Sequence, residues 1–234
     1  KLETLVGMFG IGQIPTGDRD PFALRRHALG VIRMLSEGDL NLPLNELLTA
    51  ATQAFSGIEG FKPAEAALAD FIYDRLAGSL REQGYTAQEV DAVVSQRPQR
   101  LGDIPKRLAA VRAFSTLPEA AALAAANKRV GNILKKVEDS VEAWVDTALL
   151  SAAAEVSLHA ALVDVVPQAD AAFLTGDYTA SLQVLAALRA PVDAFFDGVM
   201  VNADDPALRA NRLGLLAKLH AAMNQVADLS KLSA

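Results

Sequence analysis

The residues with chemistry to offer are few and scattered. The three histidines, His27, His159 and His220, fall on separate stretches of helical spacing, and none stands in a metal-ligand pattern such as H-E-x-x-H. No His-Asp dipeptide is present, so a metal-dependent phosphohydrolase site cannot be assembled from them. Cysteine is absent, which removes disulfides, thiolate ligands and thiol nucleophiles together. Gly10-Ile11-Gly12 invites a phosphate cradle, yet it lacks the third glycine of the dinucleotide fingerprint and no Gly-Lys-Ser/Thr follows. The carboxylate pairs Asp204-Asp205 and Glu138-Asp139 are adjacent residues, which point apart on or beside a helix. They read as caps and solvated ends, with Asp204 or Asp205 suited to the N-terminus of the helix that follows. The residues therefore predict no catalytic group, no metal ligand and no cofactor in this chain.

Cations and amides offer more. The densest basic run is Asn127-Lys128-Arg129-Val130-Gly131-Asn132-Ile133-Leu134-Lys135-Lys136. Lys128, Asn132 and Lys135 lie about one helical turn apart, as do Arg129, Asn132 and Lys136, so cations and amides share a face. Such a face suits phosphates held by Lys or Arg and base edges read by Asn. It equally suits a solvated helix end whose cations complement the dipole. A second set, Arg209, Asn211, Arg212, Lys218 and His220, shares its stretch with the packing residues Leu208, Leu213, Leu215, Leu216 and Leu219 and reads also as an ordinary amphipathic helix. Arg97, Arg100, Lys106 and Arg107 form a third group. The chain as a whole carries a net charge of −6, so any polyanion must be met by a local patch.

The elements that must position these groups are helices. Just over half of the 234 residues are apolar, much of that share is alanine, and aromatics are scarce, a mix that favours helix over sheet. Two helical units are expected, with a boundary near Arg97-Pro98 or Ser115-Thr116. Helical spacing runs from Lys1 to about Phe9, and a Gly/Pro-rich loop follows to Arg19. Asp20-Pro21 is read as cap and first helical residue of a helix through Leu24, Ala28, Val31 and Leu35 to Gly38.

Further helices are predicted over about 43–55, 63–83, 86–96, 103–115, 117–136, 151–174, 179–188, 191–197 and 206–229. Thr86 with Glu89 and Thr116 with Glu119 have capping-box spacing. Val199 to Asp204 reads as extended or looped. Charged residues such as Glu155, Asp164, Arg189 and Asp193 interrupt every apolar stretch before it approaches a membrane span, so a soluble protein is expected. The chain opens at Lys1 without an initiator Met and with an apolar pattern under way, which reads as a piece of a longer chain.

Asp205-Pro206-Ala207-Leu208-Arg209 resembles the Asp-x-Ala-Leu-Arg signature of the helical anticodon-binding domain shared by several synthetases, arginyl-tRNA synthetase among them. Ala190 to Asn202 before it and Gln225 to Ser230 after it resemble the end of the bacterial glycyl-tRNA synthetase β-subunit family. Leu5 to Gly17, Asp20 to Arg26 and Ala124 to Val130 resemble the same family, so the likeness spans the chain. Lys231, His220 and Asn224 depart from the family pattern.

The resemblance implies an all-α helical bundle in which residues 1–38 finish an HD-like domain, 39–115 form a connecting body and 116–234 form the anticodon-binding domain. It implies RNA contact through Lys128, Arg129, Asn132, Lys135, Lys136, Arg209 and Arg212, with the signature arginine alternatively fixing the helix packing. It further implies a cytoplasmic α2β2 enzyme with a catalytic α subunit, using ATP and Mg to glycylate glycine tRNA, with neither DNA nor a membrane as partner. Two alternatives stand beside it: a helical scaffold for subunit assembly with little RNA contact, and a remnant hydrolase from the HD-like end.

Overall fold

The structure, a computed structural model, describes residues 1–137 and 140–233; the acidic pair Glu138-Asp139 lies outside the described residues. The architecture is all-α. Among the described residues no β-strand forms, and an isolated antiparallel bridge joins Thr16 to Arg19. No single described helix is long and apolar enough to cross a membrane. The chain divides into two compact units, residues 1–90 with 96–105 and residues 91–95 with 106–234.

In the first unit, α1 (Leu2–Gly10), α2 (Leu24–Glu37), α3 (Leu44–Gln53) and α4 (Glu65–Glu82) pack around one core. Leu5, Phe9, Leu24, Val31, Leu48, Leu68 and Ile72 fill it. The helical spacing of these apolar residues sets which face turns inward. Phe9 meets Phe71 at 5.2 Å between ring centroids. A Cβ on Gly10 would enter the ring of Phe61, and Lys62 donates its N–H to Gly10 O at 2.9 Å, so glycine lets the segment between α3 and α4 lie against α1. The start of α2 corrects the sequence reading. Asp20 does accept from two free amides, those of Leu24 at 2.7 Å and Arg25 at 3.0 Å, but Pro21 stands in a turn and the helix begins at Leu24 after Ala23 in the left-handed region.

The boundary between the units runs through α5 (Ala87–Val94) and the first turn of α6 (Ile104–Ser115). The capping box that opens α5 closes as its spacing requires: Thr86 donates its N–H to Glu89 Oε2 at 2.7 Å, and Glu89 donates its own to Thr86 Oγ1 at 3.2 Å. The box expected at Thr116 and Glu119 does not form. Thr116 Oγ1 instead donates back to Ala113 O at 2.7 Å, closing the end of α6, and the next helix starts at Ala120.

The second unit contains α7 (Ala120–Leu134), α8 (Ala153–Leu174), α9 (Tyr178–Val184), α10 (Arg189–Gly198) and α11 (Pro206–Met223). α8 packs against α9, α10 and α11, and α7 against α11 and the final 3₁₀ turn, Leu229–Leu232. Leu123, Val130, Leu158, Leu162, Phe195, Leu215, Leu216 and Leu219 form its core. α11 ends at Met223, six residues before the expected Leu229, because Asn224 turns its side-chain amide back to His220 O at 2.6 Å. Asp228 then donates its N–H to Ala92 O at 2.8 Å.

Candidate nucleic-acid interface

α7 is two-faced because its small and apolar residues recur at helical spacing. Ala120, Leu123, Ala124, Asn127 and Val130 are buried, whereas Lys128, Arg129, Asn132, Lys135 and Lys136 are exposed. Lys135 lies just past the helix with helical backbone angles, and its N–H bonds Gly131 O at 3.0 Å, so the stripe continues in register beyond Leu134. Lys128, Asn132 and Lys135 thus project from one surface. Arg129 is set apart: its guanidinium stands 4.0 Å from the centroid of the Phe196 ring, which ties α7 to α10. Among the described residues no carboxylate is ion-paired with Lys128, Lys135 or Lys136.

The signature around Asp205 explains itself locally. Asp205 Oδ1 accepts from Ala207 N at 2.7 Å and Leu208 N at 3.3 Å, Pro206 opens the helix, and the exposed Arg209 donates to Ala203 O at 3.2 Å. Of the two aspartates read as caps, Asp205 takes the part. Arg212 is committed more deeply. Its Nε donates to Glu155 Oε1 at 2.5 Å and its Nη1 to Met200 O at 2.8 Å, and the paired side chains are only 12% and 1% exposed. Glu155 also accepts from Ala152 N at 2.7 Å, Ser151 N at 3.0 Å and Ser151 Oγ at 3.2 Å. Burial pushes its carboxyl up, but the bonds from Arg212 and the two amides outweigh burial and hold it below the ordinary value.

The remaining basic residues each have surroundings of their own. Arg97 pairs with Asp70 and lies 4.9 Å from the centroid of Tyr73, and Arg100 bonds Asp39 at 2.9 Å. Arg107 is buried, donating to Val226 O at 2.7 Å beside the rings of Tyr178 and Phe173. Asn211 is buried against residue 146. Lys218 and His159 line a groove of about 630 Å³ between α8 and α11 with Leu162, Val163 and Pro167. His220 packs close to Gly131; burial holds its imidazole below the ordinary value, Asp228 opposes that and Lys135 adds to it. Among the described residues no group of three His, Cys, Asp or Glu side chains is placed to hold a metal ion.

Three features escaped the reading of the sequence. Asn127 is fully buried and exchanges amide hydrogen bonds with Asn224, at 3.0 and 3.1 Å. Its place on the apolar face of α7 was the available signal. The Glu155–Arg212 pair spans 57 positions, and nothing local points to it. Trp144, the only tryptophan, is 65% exposed on the segment that leads from α7 to α8.

Comparison with known proteins adds an independent line. A family model described as glycyl-tRNA synthetase beta subunit matches residues 1–95, and one described as DALR anticodon binding domain matches residues 123–234. The glycine–tRNA ligase beta subunit of Dechloromonas aromatica (strain RCB) is 85% identical over the whole chain, which covers 33% of that protein. Those of Janthinobacterium sp. (strain Marseille) and Delftia acidovorans (strain DSM 14801 / SPH-1) are 69% and 70% identical, again with all of this chain and 33% of theirs aligned. The chain spans about a third of the length of these curated relatives.

Proposed function

We propose that this chain, a member of the glycyl-tRNA synthetase β-subunit family, is the part of that subunit that binds the anticodon region of glycine tRNA and so supports ATP-dependent glycylation. The observation that carries the reading is the exposed stripe of α7, cations and an amide in register on a helix whose other face is core, within residues 123–234. In this mechanism Lys128, Lys135 and Lys136 hold phosphates and set register, and Asn132 meets the edge of an unstacked base. Arg209 adds a cation beside the signature cap, while Arg129 and Arg212 act through the packing that their ring and carboxylate partners define. Amino-acid activation belongs to the partner α subunit of an α2β2 assembly in the cytoplasm, with ATP and Mg used there.

The test is binding of a glycine tRNA, and of the same tRNA with altered anticodon bases, across a salt series. The cognate RNA should bind more tightly, and Lys128→Ala, Lys135→Ala and Lys136→Ala should each weaken binding and reduce the salt slope by about 0.7–0.9 for each phosphate left without its cation. Equal, weak binding of both RNAs would sink the reading and leave a scaffold for subunit assembly.

A further inference from the structure

An imidazole lies against the helix that carries the cationic stripe. The ring of His220 meets α7 at Gly131, where a Cβ would stand 3.4 Å from Nε2 and 3.8 Å from Cδ2. Lys128 and Lys135 stand about one helical turn before and after Gly131, and Lys135 donates its N–H to Gly131 O at 3.0 Å. His220 is half-buried, and both lysines are exposed. Burial disfavours the imidazolium most, Asp228 favours it from the turn after α11, and Lys135 disfavours it from α7. α8 also packs on α11, but its carboxylates are engaged there at other positions, Glu155 with Arg212 and Asp170 with Gln225. The 3₁₀ turn Thr147–Leu149, which touches α11 as well, carries no charged side chain.

We propose that His220 is a proton-linked member of the RNA-binding face, taking up a solvent proton when a phosphate settles on Lys135; this rests on the RNA-binding reading above. The coupling runs through charge. A bound phosphate offsets the ammonium of Lys135 and adds negative potential near the ring, so the imidazolium is less disfavoured in the complex than in the free chain. Linkage makes the effect reciprocal: if RNA favours the proton at His220, the proton favours RNA by the same factor. Histidine is the side chain whose ordinary value lies where such a shift changes its charge near neutral pH. Affinity for RNA therefore rises as pH falls through the titration of His220.

The experiment follows the His220 Cε1–H resonance by NMR from about pH 5.5 to about pH 8, in the chain alone and saturated with an anticodon stem-loop RNA of a glycine tRNA. Affinity for the same RNA is measured across the same range. Binding should raise the midpoint of His220 by about half a pH unit, the size of a solvent-screened interaction between charges several ångströms apart. Affinity should then be up to about threefold higher at the acid end than at the alkaline end. Lys135→Ala should raise the midpoint in the free chain and shrink the rise that RNA brings. His220→Gln should flatten the affinity profile, whereas His159→Gln, in the groove between α8 and α11, should leave its slope in place. A midpoint that stays or falls when the RNA binds refutes the proposal and leaves the RNA reading intact, as does a slope that persists in His220→Gln. If that variant does not fold, the midpoint of the parent chain decides alone. If the RNA binds at no pH, both readings fall.

Discussion

Replacing Arg212 with Met separates an arginine that holds the fold from one that holds RNA. The substitution keeps an apolar stem but leaves the Glu155 carboxylate, 1% exposed, without its cation. Breaking a buried pair by removing one partner typically costs about 3–5 kcal/mol. Here the carboxylate keeps three bonds, from Ala152 N, Ser151 N and Ser151 Oγ, so the lower end applies, about 3 kcal/mol. At roughly 3 °C per kcal/mol for a chain of this size, Tm should fall by about 10 °C, measured by circular dichroism. Glu155→Gln, which can retain the capping bonds, should cost less, and the double variant less than the sum of the two. The pH dependence has a definite sign. Glu155 titrates below its ordinary value of 4.5 in the folded state, so its stabilisation is complete above that range and is lost as pH falls through the lower folded value. Removing Arg212 should flatten that acid step. A variant that melts like the parent but binds glycine tRNA tenfold more weakly would refute the reasoning and make Arg212 an RNA contact.

Two further outcomes follow from buried polar groups. Asn127→Ala leaves Asn224 Oδ1 without its donor while Asn224 Nδ2 keeps its bond to His220 O, and it should cost about 1 kcal/mol in urea unfolding, with Asn127→Ala/Asn224→Ala less than additive; additive losses would mean the two amides do not act as a pair. His220 titrates below its ordinary 6.5 because burial disfavours the cation, so its contribution is complete above 6.5 and is lost as pH falls towards the folded value. His220→Gln should therefore reduce the drop in Tm between about pH 7 and about pH 5.5, and an unchanged profile counts against the burial argument.

What the sequence disclosed was local. Two Thr-x-x-Glu boxes had identical spacing, and one closed. Thr86 follows a tight turn with Gly84 at φ +90°, leaving its hydroxyl free for the Glu89 amide. Thr116 directly follows the last residue of α6, where the carbonyl of Ala113 takes both its N–H, at 3.3 Å, and its hydroxyl, at 2.7 Å, so the hydroxyl is not left for Glu119. The start of α2 moved as well: Asp20 finds its amides at Leu24 and Arg25, two residues later than cap spacing predicts, because Pro21 and Phe22 form a turn. The exposed stripe of α7 was legible because helical periodicity alone separates its two faces. The partners of Arg129, Arg212 and Asn127 were not, since Phe196, Glu155 and Asn224 come from other helices or their ends and no spacing rule reaches that far.

The run Asp205-Pro206-Ala207-Leu208-Arg209, with Arg212 beyond it, is thus inward-looking in this chain. Asp205 is spent on free amides, Arg209 reaches a carbonyl of the preceding loop, and Arg212 neutralises a buried carboxylate while binding Met200 O. These bonds fix α11 at its N-terminus and against α8, and Asn211 clamps the backbone of residue 146 to it. A recognisable motif can therefore contribute mainly the rigidity of its domain. The consequence is a division of effects: substitutions at Asp205 or Arg212 should lower Tm and RNA affinity together, because the display surface moves with the helix. Substitutions at Lys128, Lys135 or Lys136, exposed cations without a described carboxylate partner, should lower affinity and leave the melt in place.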